Sequence, residues 1–153
     1  MERVVITGLG TVNPIGNNKN TFWQNTTSGK NGITKITLFD TEKYKVKIAG
    51  ETKIDLNNHF NSKELNKLDR FSAFSIVAAD EAIKDARLDN FDSNKTGVII
   101  GSGIGGINSL EEQHKKLLNS PKRVSPYFIP RMISDISPGH ISMKYGFKGP
   151  NYS

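Results

Sequence analysis

The 153-residue chain contains no cysteine, so disulfides, thiolate metal sites and thiol nucleophiles are excluded from what these residues can do by themselves. It also lacks any long hydrophobic run. The amino terminus, Met1-Glu2-Arg3-Val-Val-Ile-Thr7, follows its charge with only about four apolar residues, too few for a signal-peptide core, and no stretch approaches the ~20 residues that a spanning helix needs. A cytoplasmic protein without a membrane partner is expected. Hydrophobic residues make up 35% of the chain and mean hydropathy is -0.46, which points to a lean core in one domain or part of one. Acidic residues are the scarcer charge, 15 against 21 basic, giving a net charge of +6 and a pI near 9.5; an excess of that sign favours an acidic partner.

The basic residues fall in three groups. Lys43, Lys45 and Lys47 alternate with Tyr44 and Val46, the pattern of an edge strand kept from pairing by lysine. Lys63, Lys67 and Arg70 lie at i, i+4 and i+7, one positive stripe if the segment is helical. Lys122 and Arg123 form a second cluster on a proline-marked loop. Pattern alone reads the helical stripe as a solvated face.

The order of elements predicts an α/β layered fold. Arg3 to Thr7 reads as a buried strand entering the turn Gly8-Leu9-Gly10, and a short helix around Thr21 to Thr27 is expected to pack Phe22 and Trp23 into the core. Asn61, with Glu64 three residues on, caps a long helical stretch that runs through Leu65 and Phe71 to an alanine-rich half, Ala73 to Ala86. Thr96 to Ile100 is a second buried strand, followed by Gly101-Ser-Gly-Ile-Gly-Gly106 and a polar helix from about Ile107 to Asn119. Ser137-Pro138 starts a further helix that ends at Gly146, after which Lys148 to Ser153 begins a new element. Because the chain stops on the approach to that element, it is expected to be a fragment.

Single motifs carry little chemistry. Gly101-x-Gly103-x-x-Gly106 fits a dinucleotide-binding turn, but the acid expected roughly 20 residues on is replaced by Lys122-Arg-Val-Ser-Pro-Tyr-Phe128. Close backbone packing is the favoured reading of these glycines. Glu111-x-x-His114 lacks the second pair that a bundle di-iron site requires, so no metal site is expected and His114 reads as a surface residue. His140 reads as a hydrogen-bonded histidine at a helix start, and His59 among asparagines carries no signal.

Together, VVITGLGTVNPIGN (Val4 to Asn17), GSGIGG (Gly101 to Gly106), VSPYFIP (Val124 to Pro130) and PGHISMKYGFKGPNYS (Pro138 to Ser153) closely resemble the β-ketoacyl-acyl carrier protein synthases, nearest to the type II condensing enzymes of bacterial fatty acid synthesis. The resemblance is collinear over essentially the whole chain. It implies an incomplete amino-terminal half of a thiolase-like, five-layer αβαβα fold, cut just before the nucleophilic cysteine expected shortly after Ser153. The complete protein would be a 3-oxoacyl-[acyl-carrier-protein] synthase II, an acyltransferase that condenses malonyl- with acyl-carrier protein, as a homodimer and with no cofactor. The piece by itself would be inactive, since the family's catalytic cysteine, two histidines and lysine all lie beyond it.

The resemblance also assigns binding residues. Ile104 matches a gating position at the acyl pocket, and Phe128 an aromatic that lines the partner subunit's pocket. Lys63 and Lys67 match positions that dock acidic carrier protein, Lys122 and Arg123 match a second basic patch, and Arg70 stands ready to compensate for Asn66, where a third basic residue is usual. On this reading the partner is carrier protein and not nucleic acid. Two alternatives remain open: a non-catalytic module that binds carrier protein or nucleic acid, and a nucleotide-binding oxidoreductase.

Overall fold

The computed structural model describes residues 3–153; the part of the amino-terminal reading that rests on Met1 and Glu2 lies outside the described residues. In chain order the elements are α1 (Lys19–Thr27), β1 (Ile33–Lys35), β2 (Ile48–Gly50), α2 (Ser62–Leu65), α3 (Arg70–Ala86), β3 (Val98–Ile99), α4 (Ile107–Asn119), α5 (Phe128–Met132), α6 (Ile136–Tyr145) and β4 (Asn151–Tyr152), with 3-10 turns at Leu56–Asn58 and Pro121–Arg123. Helix and short sheet are mixed, as expected. The chain divides into two compact units, Met1–Asp55 with Val77–Leu88, and Leu56–Ile76 with Asp89–Ser153.

In the first unit the segment around Gly8 and Gly10 lies against the second half of α3. A Cβ on Gly8 would lie 2.6 Å from the Ala86 amide nitrogen, and one on Gly10 would lie 2.8 Å from that of Ala82. Alanines 78, 82 and 86 present the helix backbone that only glycine can approach so closely. Two carboxylates one turn apart on α3 then hold the segment: Asp85 Oδ2 accepts the Leu9 N–H at 3.0 Å, while Glu81 accepts those of Thr11 at 3.0 Å and Lys19 at 2.8 Å. Lys19 Nζ is ion-paired with Asp85. The Lys19 hydrogen bond, and secondarily the Leu9 amide, hold the Asp85 carboxyl below its ordinary pKa.

Three expectations for this unit are corrected. Residues 3–7 are not a strand, and Val4 and Ile6 are 92% and 83% exposed; among the described residues no strand pairs with them, and an unpaired segment has no ladder to complete. α1 is capped by Asn18, whose side chain accepts the Thr21 N–H at 2.9 Å, but the helix buries no residue and Trp23 is 67% exposed. Phe22 and Trp23 instead line an open cavity of about 540 Å³ with Leu9 and Lys19. Lys43, Lys45 and Lys47 do not lie on an edge strand. The Asp40 carboxylate accepts the Glu42 N–H, the Tyr44 N–H bonds the Thr41 carbonyl, and this turn delays extended structure until β2, which pairs antiparallel with β1.

In the second unit Asn61 makes the expected capping box, accepting the Lys63 and Glu64 N–H groups while Glu64 accepts that of Asn61 at 2.8 Å. The helix it starts is short, however. α2 ends at Leu65, the Lys67 and Leu68 amides make tight i→i−3 bonds, and Asp69 Oδ1 accepts the Phe71 N–H where α3 starts. Burial of Leu68 and Asp69 in the connection explains why one helical pattern folds as two helices. β3 pairs in parallel with β4, Val98 opposite Asn151 and Ile99 opposite Tyr152; Val98 is buried but Ile99 is 74% exposed, so the expected buried strand is buried on one face only. α6 begins at Ile136, and the buried Ser137 makes no side-chain cap. Its end at Gly146, with φ of 72°, agrees with the sequence. Leu68, Ala73, Ile76, Ile141 and Phe147 are buried in this unit, and Phe91 meets Phe147 edge-on at 5.0 Å.

Candidate functional site

The glycine turn leaves β3 and enters α4. Ser102 Oγ accepts the Gly105 N–H at 3.0 Å, Gly105 adopts a φ of 78°, and the Gly106 N–H bonds the Met132 carbonyl at 2.8 Å. These bonds fix the turn against the end of α5 and leave Ile104, to which the family resemblance assigns a pocket role, 71% exposed. α4 has no capping side chain of its own at Gly106. One N–H of its first turn is satisfied from a distance: Asp69 Oδ2 accepts both the Ser109 N–H at 3.0 Å and the Ser109 hydroxyl at 2.6 Å. One turn further along, Gln113 Oε1 accepts the Ser125 N–H at 2.7 Å, holding the loop that leads to Phe128 at the start of α5. Ser153 Oγ donates to Asp135 Oδ1 at 2.6 Å and lies 2.8 Å from Ser134 Oγ. Because a Cβ on Gly105 would lie 3.0 Å from the Ser134 nitrogen, the glycine turn and the segment ending at Ser153 flank the same stretch of chain.

The basic residues are placed differently from the sequence expectation. Lys63 is in α2, Lys67 in the connection and Arg70 at the first position of α3, so they do not form a stripe along one helix. Lys67 Nζ stands 5.6 Å from the Tyr127 ring centroid, and the Arg70 guanidinium is 5.0 Å from that of Phe74, both within cation–π range. The first contact ties Lys67 to Tyr127, on the loop that follows the 3-10 turn Pro121–Arg123, in which Lys122 and Arg123 are exposed. The Lys67–Tyr127 contact was not legible from spacing, since the two residues are far apart in sequence.

The cofactor alternative meets a direct obstacle. A pyrophosphate binds at a helix amino terminus because the N–H groups there are free and the dipole is positive, whereas a carboxylate already occupies that place on α4. Of the three motif glycines Gly106 serves close packing, since a Cβ there would lie 3.0 Å from both Asp69 Oδ2 and the Met132 α-carbon, whereas Gly101 and Gly103 have open space where a side chain would begin, so the packing reading holds for Gly106 and is corrected for the other two.

Among the described residues no group of three or more His, Asp or Glu could hold a metal. Glu111 pairs with Lys115 at 2.5 Å, leaving His114 exposed as expected. His140 lies inside α6 rather than at its start, and with His59, Lys67 and Met143 it lines a cavity of about 400 Å³. Burial lowers its pKa from the ordinary 6.5. The unfolded chain therefore takes up this proton first as pH falls. His140 contributes full stability above about pH 6.5 and loses it as pH drops through that value towards the lowered folded pKa. A His140→Gln variant is expected to flatten this part of the melting temperature against pH; an unchanged slope would show that the buried imidazole is not its source.

Comparison with known proteins gives this arrangement a class and then a family. The fold matches that of the ishigamide ketosynthase/chain length factor with a TM-score of 0.82, at 22% identity over 97% of this chain and 38% of that one. It also matches a type II PKS acyl-carrier protein in complex with its ketosynthase bound to the hexaketide, with a TM-score of 0.73 and 26% identity, covering 94% and 39% of the two chains. The fold is that of the ketosynthases, the thiolase-like class. The model of the β-ketoacyl synthase N-terminal domain matches residues 1–153, and the chain belongs to that family. It is 50% identical to 3-oxoacyl-[acyl-carrier-protein] synthase 2 of Staphylococcus aureus strain N315 and 42% identical to that of Synechocystis sp., in each case over 98% of this chain. The chain spans 37% of the length of either relative.

Proposed function

We propose that these 153 residues are the amino-terminal part of a 3-oxoacyl-[acyl-carrier-protein] synthase of type II, which condenses malonyl-carrier protein with an acyl-carrier protein during fatty acid elongation. The observation that carries the reading is the 50% identity to the Staphylococcus aureus enzyme along 98% of the chain. The binding apparatus is in these residues and the condensing residues are not, so the piece alone is inactive. Ile104 gates the acyl pocket, Phe128 reaches the pocket of a second subunit in a homodimer, and the nucleophilic cysteine follows Ser153 beside the turn that carries Ile104. The protein works in the cytoplasm.

Carrier protein docks on the surface formed by Lys63, Lys67, Arg70, Lys122 and Arg123. The Lys67–Tyr127 contact, which ties the first cluster to the loop following Lys122 and Arg123, supports reading the two as one cationic patch, whose effect is mainly on the rate and specificity of encounter. Reversing charge at Lys63 and Lys67 together should weaken carrier-protein binding at least tenfold at low salt, and the difference should shrink as salt is raised. Unchanged binding by the double variant would remove the patch from the account.

A further inference from the structure

We infer that Asp69 is a positioning residue for the acyl gate, fixing the turn that presents Ile104 to the basic segment at which carrier protein docks; the inference rests on the condensing-enzyme reading. Asp69 is 4% exposed and Ser109 1% exposed. A buried carboxylate needs hydrogen-bond donors, and these two groups satisfy each other through one oxygen, with the second oxygen turned to the Phe71 N–H at 3.4 Å. The acceptor serves α4 as a cap supplied from another part of the chain, at the third residue of the helix, where a capping side chain normally bonds. Because Gly106 immediately precedes α4 and packs on the same carboxylate oxygen, the bond sets the position of the whole turn.

Asp69 also lies between Lys67 and Arg70 in sequence. Without that carboxylate, the Ser109 N–H and hydroxyl would be left unpaired in a buried site, and the turn would lose its tie to the Asp69 segment while keeping the Ser102–Gly105, Gly105–Ile107 and Gly106–Met132 bonds. Pocket admission would then no longer be set by one position of Ile104. The effect belongs to selectivity, since a gate bears on long acyl chains more than on short ones.

The test uses the full-length protein with hexanoyl- and dodecanoyl-carrier protein as primers, in Asp69→Asn, Ser109→Ala and, as a control on the exposed face of α4, Glu111→Gln. For Asp69→Asn the ratio of kcat/KM between the two primers is expected to shift about tenfold, and the Ser109 amide to exchange with solvent at least tenfold faster. Ser109→Ala, which keeps the backbone donor, should shift the ratio in the same direction by less, and serves if the asparagine variant does not fold. Glu111→Gln should leave it unchanged. Equal losses for both primers would mean a merely structural aspartate and would overturn the inference, as would unaltered exchange at Ser109. Failure of the wild-type protein to condense either primer would overturn the underlying reading and this inference with it, and the wild-type assay by itself tells that case from a failure of Asp69 alone.

Discussion

Replacing Gly10 with valine is expected to cost about 3 kcal/mol or more of stability, enough to lower the melting temperature by many degrees and reduce soluble yield. The added Cβ would run into the carbonyl of Ala78 and lie 2.8 Å from the Ala82 nitrogen. Both are backbone atoms of α3, held by the helix's own hydrogen bonds, so neither can rotate away as a side chain would. Displacing the segment instead would lengthen the Leu9–Asp85 and Thr11–Glu81 bonds, each now 3.0 Å. Gly139, inside α6 with open space where a side chain would begin, provides the contrast: alanine there should stabilise by about 0.5–1 kcal/mol. Equal melting temperatures for the two variants would contradict the close packing described for the amino-terminal segment.

The second large effect concerns the gate. In the full-length protein Ile104→Phe is expected to lower kcat/KM for a dodecanoyl primer at least tenfold more than for a hexanoyl primer. Ile104 is 71% exposed on a turn pinned at both ends by hydrogen bonds, so a larger side chain has no buried partner to disturb and stability should change little. What changes is the space available to a chain passing the turn. The measurement is a primer series with the melting temperature taken alongside. A uniform loss for every chain length at unchanged stability would place Ile104 outside the acyl path.

The sequence carried the turns and caps better than it carried the strands. The glycine turn, the helix after it, the Asn61 capping box and the left-handed Gly146 were all readable because each depends on local chemistry at fixed offsets. The strands at Arg3–Thr7 and around Lys45 were not, since a strand exists only when a second strand lies beside it, and hydrophobic alternation cannot supply that partner. The break between α2 and α3 was hidden for a related reason. The apolar period continues through Leu65, Leu68 and Phe71, while the interruption comes from Asp69 turning inward to Ser109, 40 residues away. A lone aspartate in a helical pattern gives no sign of such a role. The one available signal was the glycine at the start of α4, which left that helix without a capping side chain and in need of one from elsewhere.

The central claim, that these residues belong to an acyl-transferring condensing enzyme, is tested most directly by the intact mass of the protein isolated from its own cells, before and after exposure to acyl-carrier protein. The account predicts a mass well above the 16.9 kDa of these 153 residues, increased by one acyl group per chain and returning to its starting value when malonyl-carrier protein is added. A protein of 16.9 kDa that takes up no acyl group would contradict it.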